Sequence, residues 1–364
     1  MGTKSWWRRW WLGLLTLGLV ACLPLGCTGV NAPSTPSSPT ATLSIYNWAT
    51  YIDPQALSEF EKRFNVRIKY DTFDSPDTLY AKLKPGNPGY DVIFPSDYLV
   101  ARMINEGMLL PLDQAQVPNQ VHLGETFRNP AYDPGNRYSM PYQWGTQGIG
   151  YNKKKIGRSL DSWEAMFDPQ YRVSWQEESR ATLGAVLIAL GLDPNTTEAS
   201  EINRARDWLI QHKRNIVAFA PDTGEELLNQ GEVVLAFENS GDVFQVMAEN
   251  PDLAYSIPKQ GAILWVDTMA IPKGAPQVEL AHQFINYLLE PQVAAQISNY
   301  TRYATPNQTA IQDKLIRAED LTNPAMYPPP AVMRKLYILK NLPAPTLKLY
   351  EAAWNAVKLQ VSKG

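Results

Sequence analysis

Cysteine is almost absent: the 364-residue chain has two, Cys22 and Cys27, both within its first 27 residues. The remainder therefore has no disulfide framework, no cysteine nucleophile and no thiolate metal site. Histidine is nearly as scarce. His122, His212 and His282 are scattered without metal-ligand spacing, so each reads as a surface or packing residue. No nucleophile elbow, Walker loop or dinucleotide fingerprint occurs, and the glycines of GTQGIG (145–150) do not follow a phosphate-loop pattern. A hydrolase needs a nucleophile beside a base. The sequence thus argues against an enzyme, and no cofactor or metal is expected. Long apolar runs are missing too: the run from Trp10 to about Ala21 is too short to span a bilayer comfortably.

That run follows Lys4, Arg8 and Arg9 and precedes small residues, which describes an export signal over residues 1–27. The segment LVAC (19–22) resembles a bacterial lipoprotein cleavage box, which implies lipidation of Cys22 as the new N-terminus. Cys27 is a poorer match because Pro24 stands where an aliphatic residue is usual; the alternative for the two cysteines is a disulfide. Arg8-Arg9 matches a twin-arginine signal only weakly. Residues 28–41, TGVNAPSTPSSPTA, carry no charge and no periodicity and read as a flexible tether. The expectation is a periplasmic protein held to the membrane only by its lipid. The signal holds three of the 33 basic residues and none of the 36 acidic ones, so the rest carries 30 against 36. A mild acidic excess argues against nucleic acid and for a neutral or cationic partner.

More than 320 residues remain, in a chain that is 45% hydrophobic, enough for two cores. Strand and helix patterns alternate from the start. Leu43 to Asn47 and Val66 to Thr72 read as strands, Pro54 to Phe64 and Ser75 to Leu83 as helices, and Asp91 to Phe94 as a short buried strand before a helix capped by Ser96. This order predicts an α/β fold with a parallel sheet and right-handed crossovers. Ligands of such sheets bind beyond the carboxyl ends of the strands. Trp48, Tyr51, Ser96 and Tyr98 should therefore share one rim. Further on, helices are predicted over about 180–190, 198–213, 224–230, 276–289, 291–300 and 345–359, with strands near 216–219, 233–237 and 263–271. Ser240 reads as a cap for a helix reaching Asn250. The Gly- and aromatic-rich stretch 138–151 and the strand 263–271 are candidate crossovers between two lobes.

Several short blocks occur in one order: YNWATY (46–51), LYAKL (79–83), YDVIFPSDY (90–98), EGM (106–108), PYQWGT (141–146), GEV (231–233), WVD through AIP (265–272) and YATPN (303–307), with a weaker LYE at 349–351. Together they resemble the spermidine/putrescine-binding proteins of bacterial polyamine ABC importers, over most of the chain after the tether. The resemblance implies the type II periplasmic-binding-protein fold, two α/β lobes with a ligand cleft and crossover hinges. Lobe 1 would comprise 42–144 plus 267–311, and lobe 2 would comprise 145–266 plus 312–364. It also implies a monomer that captures a polyamine and delivers it to an ABC permease in the inner membrane. Carried over by motif, Trp48, Tyr51, Ser96, Tyr98, Glu178, Trp265, Asp267 and Tyr303 would line the ligand, and Asn239 stands where a tryptophan usually packs on it.

A polyamine is a methylene rod with ammonium groups, so aromatic walls and spaced carboxylates suit it. Cation–π contact contributes roughly 0.5 to 2 kcal/mol per desolvated ring, and an unpaired buried ammonium costs several kcal/mol. Asp267 stands out as one acid inside the apolar run ILWVDTMAIP. Tyr142 and Trp144 read instead as crossover packing. Besides Asn239, two positions depart from the resemblance: a second acid is replaced by Ala181, and a contacting amide falls at Lys340 or Asn341. Glu177 or Asp242 would then compensate, or the ligand would be a shorter diamine, another small cationic amine or an amino acid. A ferric-ion or anion receptor of the same architecture is a remoter reading, since adjacent tyrosines are absent.

Overall fold

The computed structural model describes residues 39–221 and 223–361; Cys22, Cys27, the export signal and most of the tether lie outside them. Among the described residues ten strands form one sheet. They are β1 (Thr42–Trp48), β2 (Arg67–Phe73), β3 (Val92–Ile93), β4 (Ser139–Asn152), β5 (Val173–Gln176), β6 (Ile216–Ala220), β7 (Leu235–Asn239), β8 (Leu253–Ser256), β9 (Ala262–Ala270) and β10 (Leu336–Ile338). The main path runs β2-β1-β3-β9-β4-β7-β5-β6, with β10 beside β9 and β8 beside β4. Strand β1 is parallel to β2 and β3, and β5 is parallel to β6 and β7. Between these two parallel sets, β4 and β9 pair antiparallel from Ser139↔Ala270 to Gln147↔Ile263.

Each half has its own core. Leu43, Ile45, Phe60, Phe94, Met140, Met269, Phe284 and Tyr287 belong to one, and Ile149, Trp163, Trp175, Leu187, Phe237, Ile263, Tyr350 and Trp354 to the other. The stretches 138–151 and 263–271, read as crossovers, are thus two long strands that carry the chain from one core to the other. A third apolar group at the seam holds Trp144, Val243, Leu264, Val266 and Ala304.

Local chemistry explains why the early elements were legible. The helix Pro54–Phe64 begins where Asp53 accepts a hydrogen bond from the Gln55 amide, and it ends at Asn65 in the left-handed region at φ 51°. Ser75 accepts from the Thr78 amide at 3.1 Å to open Pro76–Leu83. Two details differ from expectation. Ser96 occupies the cap position of Asp97–Asn105, but its side chain makes no capping bond. The helix Ser240–Glu249 is entered from Asn239 rather than Ser240, and β7 starts at Leu235 rather than Val233. The Val233 amide turns back to the Leu227 carbonyl, while Val234 already bonds to the flanking strands, its amide donating to the Arg172 carbonyl and its carbonyl accepting from the Asn152 amide. Strands β5, β8 and β10 have four, four and three residues. All four residues of VSWQ in β5 are buried, so no alternation betrays that strand.

Two glycines shape the seam. A Cβ on Gly145 would stand 2.7 Å from the Trp265 ring, and one on Gly241 would stand 2.5 Å from the Tyr303 ring. Both positions need a residue without a side chain so that an aromatic ring can lie flat on the backbone.

Candidate functional site

A cavity of about 350 Å³ opens between the two sets of parallel strands. Trp48 reaches it from the last position of β1 and Tyr51 from just past it, Ser96 from the turn after β3, Tyr98 from the first turn of the helix Asp97–Asn105, and Glu178 from the turn after β5. Asn239 reaches it from the end of β7, Trp265 and Asp267 from β9, and Tyr303 from the turn after the helix Pro291–Thr301. All nine residues singled out from sequence therefore meet on the walls of one cavity. For Trp48, Tyr51, Ser96, Tyr98, Glu178 and Asn239 this is the carboxyl-end geometry expected of parallel strands. Tyr142 and Trp144 instead pack and tie the strands: the Tyr142 hydroxyl donates to the Tyr51 carbonyl at 2.7 Å, and Trp144 Nε1 donates to the Thr305 carbonyl at 3.3 Å.

The aromatic side is a contiguous cluster. Tyr51 and Tyr303 meet edge to face at 5.2 Å, Trp265 and Tyr303 likewise at 5.2 Å, and Tyr51 and Trp265 at 6.4 Å. Trp48 is pinned by its Nε1, which donates to the Phe94 carbonyl at 3.0 Å, and its ring leans on Phe73 at 4.6 Å. It thus both fastens the first strand and faces the cavity. Such rigid rings suit an apolar chain or a cation without further ordering.

The acidic side is unbalanced. Among the described residues, Asp74, Asp97, Glu177, Glu178, Asp242 and Asp267 line the cavity, and no Lys, Arg or His does. Burial, reinforced by Asp267 and Glu178 nearby, pushes the Asp97 carboxyl up to about 8, against backbone hydrogen bonds from Tyr98 and Val266 that favour its charged form. Enclosure by the cavity walls lifts Glu178 to about 7, opposed by its bond from the Tyr98 hydroxyl at 3.0 Å. Enclosure and the nearby Glu225 lift Asp242 to about 7, opposed by Tyr303 and Asn239. Asp267 lies beside Tyr51 and raises the pKa of that phenol. Carboxyls crowded in a poorly hydrated space hold protons unless a cation joins them.

The departures from the resemblance resolve differently. Ala181 is buried inside the helix Ser179–Ala189 and does not face the cavity, whereas Asn239 does. Neither Lys340 nor Asn341 lines it: Leu339 does, and the Lys340 amide donates outside to Asn195 Oδ1 at 2.7 Å. Asp242 and Glu177, considered as compensating acids, both lie on the wall, and Glu177 is also engaged by Lys358 at 3.2 Å. Asp97 escaped the sequence reading, because an acid in a helix's first turn is ordinarily explained by the dipole. Gln147 and Gln176 also escaped, having no charge to mark them.

The comparisons with known proteins agree with this geometry. The profile of the bacterial extracellular solute-binding proteins matches residues 55–325. The putrescine-binding periplasmic protein of Escherichia coli K12 is 35% identical, with 96% of this chain and 97% of that protein covered. The spermidine/putrescine-binding periplasmic protein of the same organism is 34% identical over 88% of this chain and 90% of its own length. Among solved structures, the spermidine/putrescine ABC transporter substrate-binding protein of Streptococcus pneumoniae, crystallised with calcium and HEPES, superposes with a TM-score of 0.78 at 31% identity, covering 88% of this chain and all of that one. A lipoprotein of Treponema pallidum gives 0.76 at 30%, covering 87% and 99%. The chain belongs to the bacterial extracellular solute-binding proteins, in the group that holds the putrescine- and spermidine/putrescine-binding periplasmic proteins, and it has their two-lobed α/β fold.

Proposed function

We propose that this protein captures a polyamine, spermidine or putrescine, between its two lobes and delivers it to the permease of an ABC importer. The observation that carries the reading is the composition of the cavity wall: among the described residues, six carboxylates, a cluster of aromatic rings and no basic side chain. An anion would meet uncompensated repulsion there. A neutral solute would bring no positive charge to the enclosed carboxyls. A flexible rod with ammonium groups meets both needs, its methylenes lying on Trp48, Tyr51, Trp265 and Tyr303 and its nitrogens beside Asp267, Glu178 and Asp242. Ser96 and Tyr98 hold the rim, and Asn239 offers an amide in place of a ring.

The family binds solutes outside the cytoplasm, and the related proteins named above are periplasmic. For this chain the finer reading is a monomer exported by residues 1–27 and lipidated on Cys22. Residues 28–41 hold it off the membrane. The Leu-Val-Ala-Cys box supports the anchor, as does the lipoprotein among its structural relatives. Lobe 1 comprises 42–144 plus 267–311 and lobe 2 comprises 145–266 plus 312–364. The separate cores that β4 and β9 join, one containing Met140 and Met269 and the other Ile149 and Ile263, support that division. Closure then rotates the lobes about 144–148 and 265–268, with no chemistry performed.

The test is a thermal-melt panel with spermidine, putrescine, an amino acid, ferric ion and phosphate. Binding to the folded state raises the melting temperature by mass action, about 2.7 kcal/mol of stability at a hundredfold excess over the dissociation constant. Upward shifts with the polyamines and none with phosphate or iron are expected. Silence with every cationic amine at millimolar concentration would remove the proposal.

A further inference from the structure

Three neighbouring strands carry a hydrogen-bonded file of side chains that the reading above does not use. Glu238, on β7, is fully buried. Its Oε1 accepts from Gln176 Nε2 at 2.6 Å and from the Asn239 amide at 2.9 Å, and its Oε2 accepts from the Gly224 amide at 3.1 Å. A Cβ on Gly224 would stand 2.4 Å from that Oε2, so the close approach depends on glycine. Gln176, on β5, in turn accepts from Gln147 Nε2, on β4, at 2.7 Å. Both glutamines line the cavity and Glu238 stands behind them.

The direction of this file is fixed from its buried end. Two backbone amides, those of Gly224 and Asn239, donate to Glu238, and these cannot reverse. A primary amide has one donating end and one accepting end. With its Nε2 committed to Glu238, Gln176 must turn its Oε1 toward Gln147, and Gln147 must answer with its Nε2. The end that remains at the cavity is the Gln147 carbonyl oxygen. Resting on the polyamine reading, we infer that Gln147 is a further ligand acceptor for an ammonium N–H, and that Glu238 is the positioning residue that sets its polarity through Gln176. Aligned amide dipoles running from a buried carboxylate reinforce one another in a medium of low polarity. They present negative potential beside Asn239, where the resemblance implies an aromatic wall.

Titration calorimetry with spermidine and putrescine, paired with melts of the ligand-free protein, tests this. Gln147→Met removes the acceptor, together with the Nε2 bond to Gln176 Oε1. Affinity should fall about tenfold or more, the value of one hydrogen bond to a charged group. Glu238→Gln unfixes the file: one end of the new amide is N–H, which faces the Gly224 amide in the original direction and the Asn239 amide in the reversed one. Gln147 then presents its oxygen in only part of the population, so affinity should fall about twofold to tenfold, and Glu238→Gln should cost nothing further in Gln147→Met, where no acceptor is left to orient. Wild-type affinity in Gln147→Met, or equal losses from Glu238→Gln with and without Gln147, overturns the inference. If Glu238→Gln does not fold, Gln147→Met alone decides between these outcomes. A wild-type protein that binds neither amine overturns the polyamine reading and this inference with it, an outcome distinct from amine binding that is indifferent to Glu238.

Discussion

Asp267→Asn is expected to lose polyamine binding while the lobes stay folded. The main chain at this position is held independently of the carboxylate: β9 pairs Asp267 with Gln143, an isolated bridge joins it to Ser96, and both the amide and the hydroxyl of Thr268 donate to the Pro95 carbonyl at 3.0 Å. Asparagine has the same shape, so none of these contacts is disturbed. What disappears is a negative charge on the cavity wall, one that acts on both Tyr51 and the enclosed Asp97. Removing one partner of a buried ion pair costs about 3–5 kcal/mol, or roughly a hundredfold to several thousandfold in affinity. The ligand-free melt should not fall, since a crowded acid has been removed from beside Asp97. Calorimetry and a melt on the same sample read both quantities. Retained affinity would move the decisive charge to another carboxylate.

The second large effect is with pH, and it has opposite signs for stability and for binding. Asp97 is lifted to about 8, and Glu178 and Asp242 to about 7, chiefly by desolvation. Their unfolded values are 3.8 for the aspartates and 4.5 for the glutamate. Between these limits the folded, ligand-free protein binds more protons than the unfolded chain. The stability linked to these groups is therefore full below about pH 4 and is lost as pH rises through about 7 to 8. The empty protein should melt higher at pH 5.5 than at pH 8. Binding runs the other way. An ammonium beside these carboxyls favours their charged forms, so its arrival expels protons. Affinity should fall from pH 8 to pH 5.5, by up to about tenfold per pH unit for each proton released. Calorimetry in buffers of different ionisation enthalpy counts those protons directly. Zero release at pH 6.5 would mean that the carboxyls do not meet the charge.

Much of this site was legible because its residue types are costly where they stand. An acid in the apolar β9 run and aromatics at the exit of β1 contradict their local patterns, and the structure places Asp267, Trp48 and Tyr51 on the cavity. The early helices were legible for a different reason, since capped ones such as Pro54–Phe64 announce themselves, whereas the two lobes came from the resemblance. The remainder was hidden by chemistry that is locally unremarkable. Asp97 looks like a helix-dipole residue. Gln147, Gln176 and Glu238 carry meaning only through the register of β4, β7 and β5, which no local pattern encodes. Strand β5 was missed because complete burial leaves no alternation to read, and β7 starts later than expected where the Val233 amide turns back to the Leu227 carbonyl.

The central claim is that separated carboxylates and aromatic rings grip one cationic rod. The most direct measurement is a calorimetric titration at pH 8 with spermidine, a series of linear diamines of increasing length, and the uncharged diol of each length. The account predicts one site per chain, an affinity that peaks at a particular spacing of the two nitrogens, and no heat from any diol. Diols binding as well as diamines, or amines of every length binding alike, would contradict it.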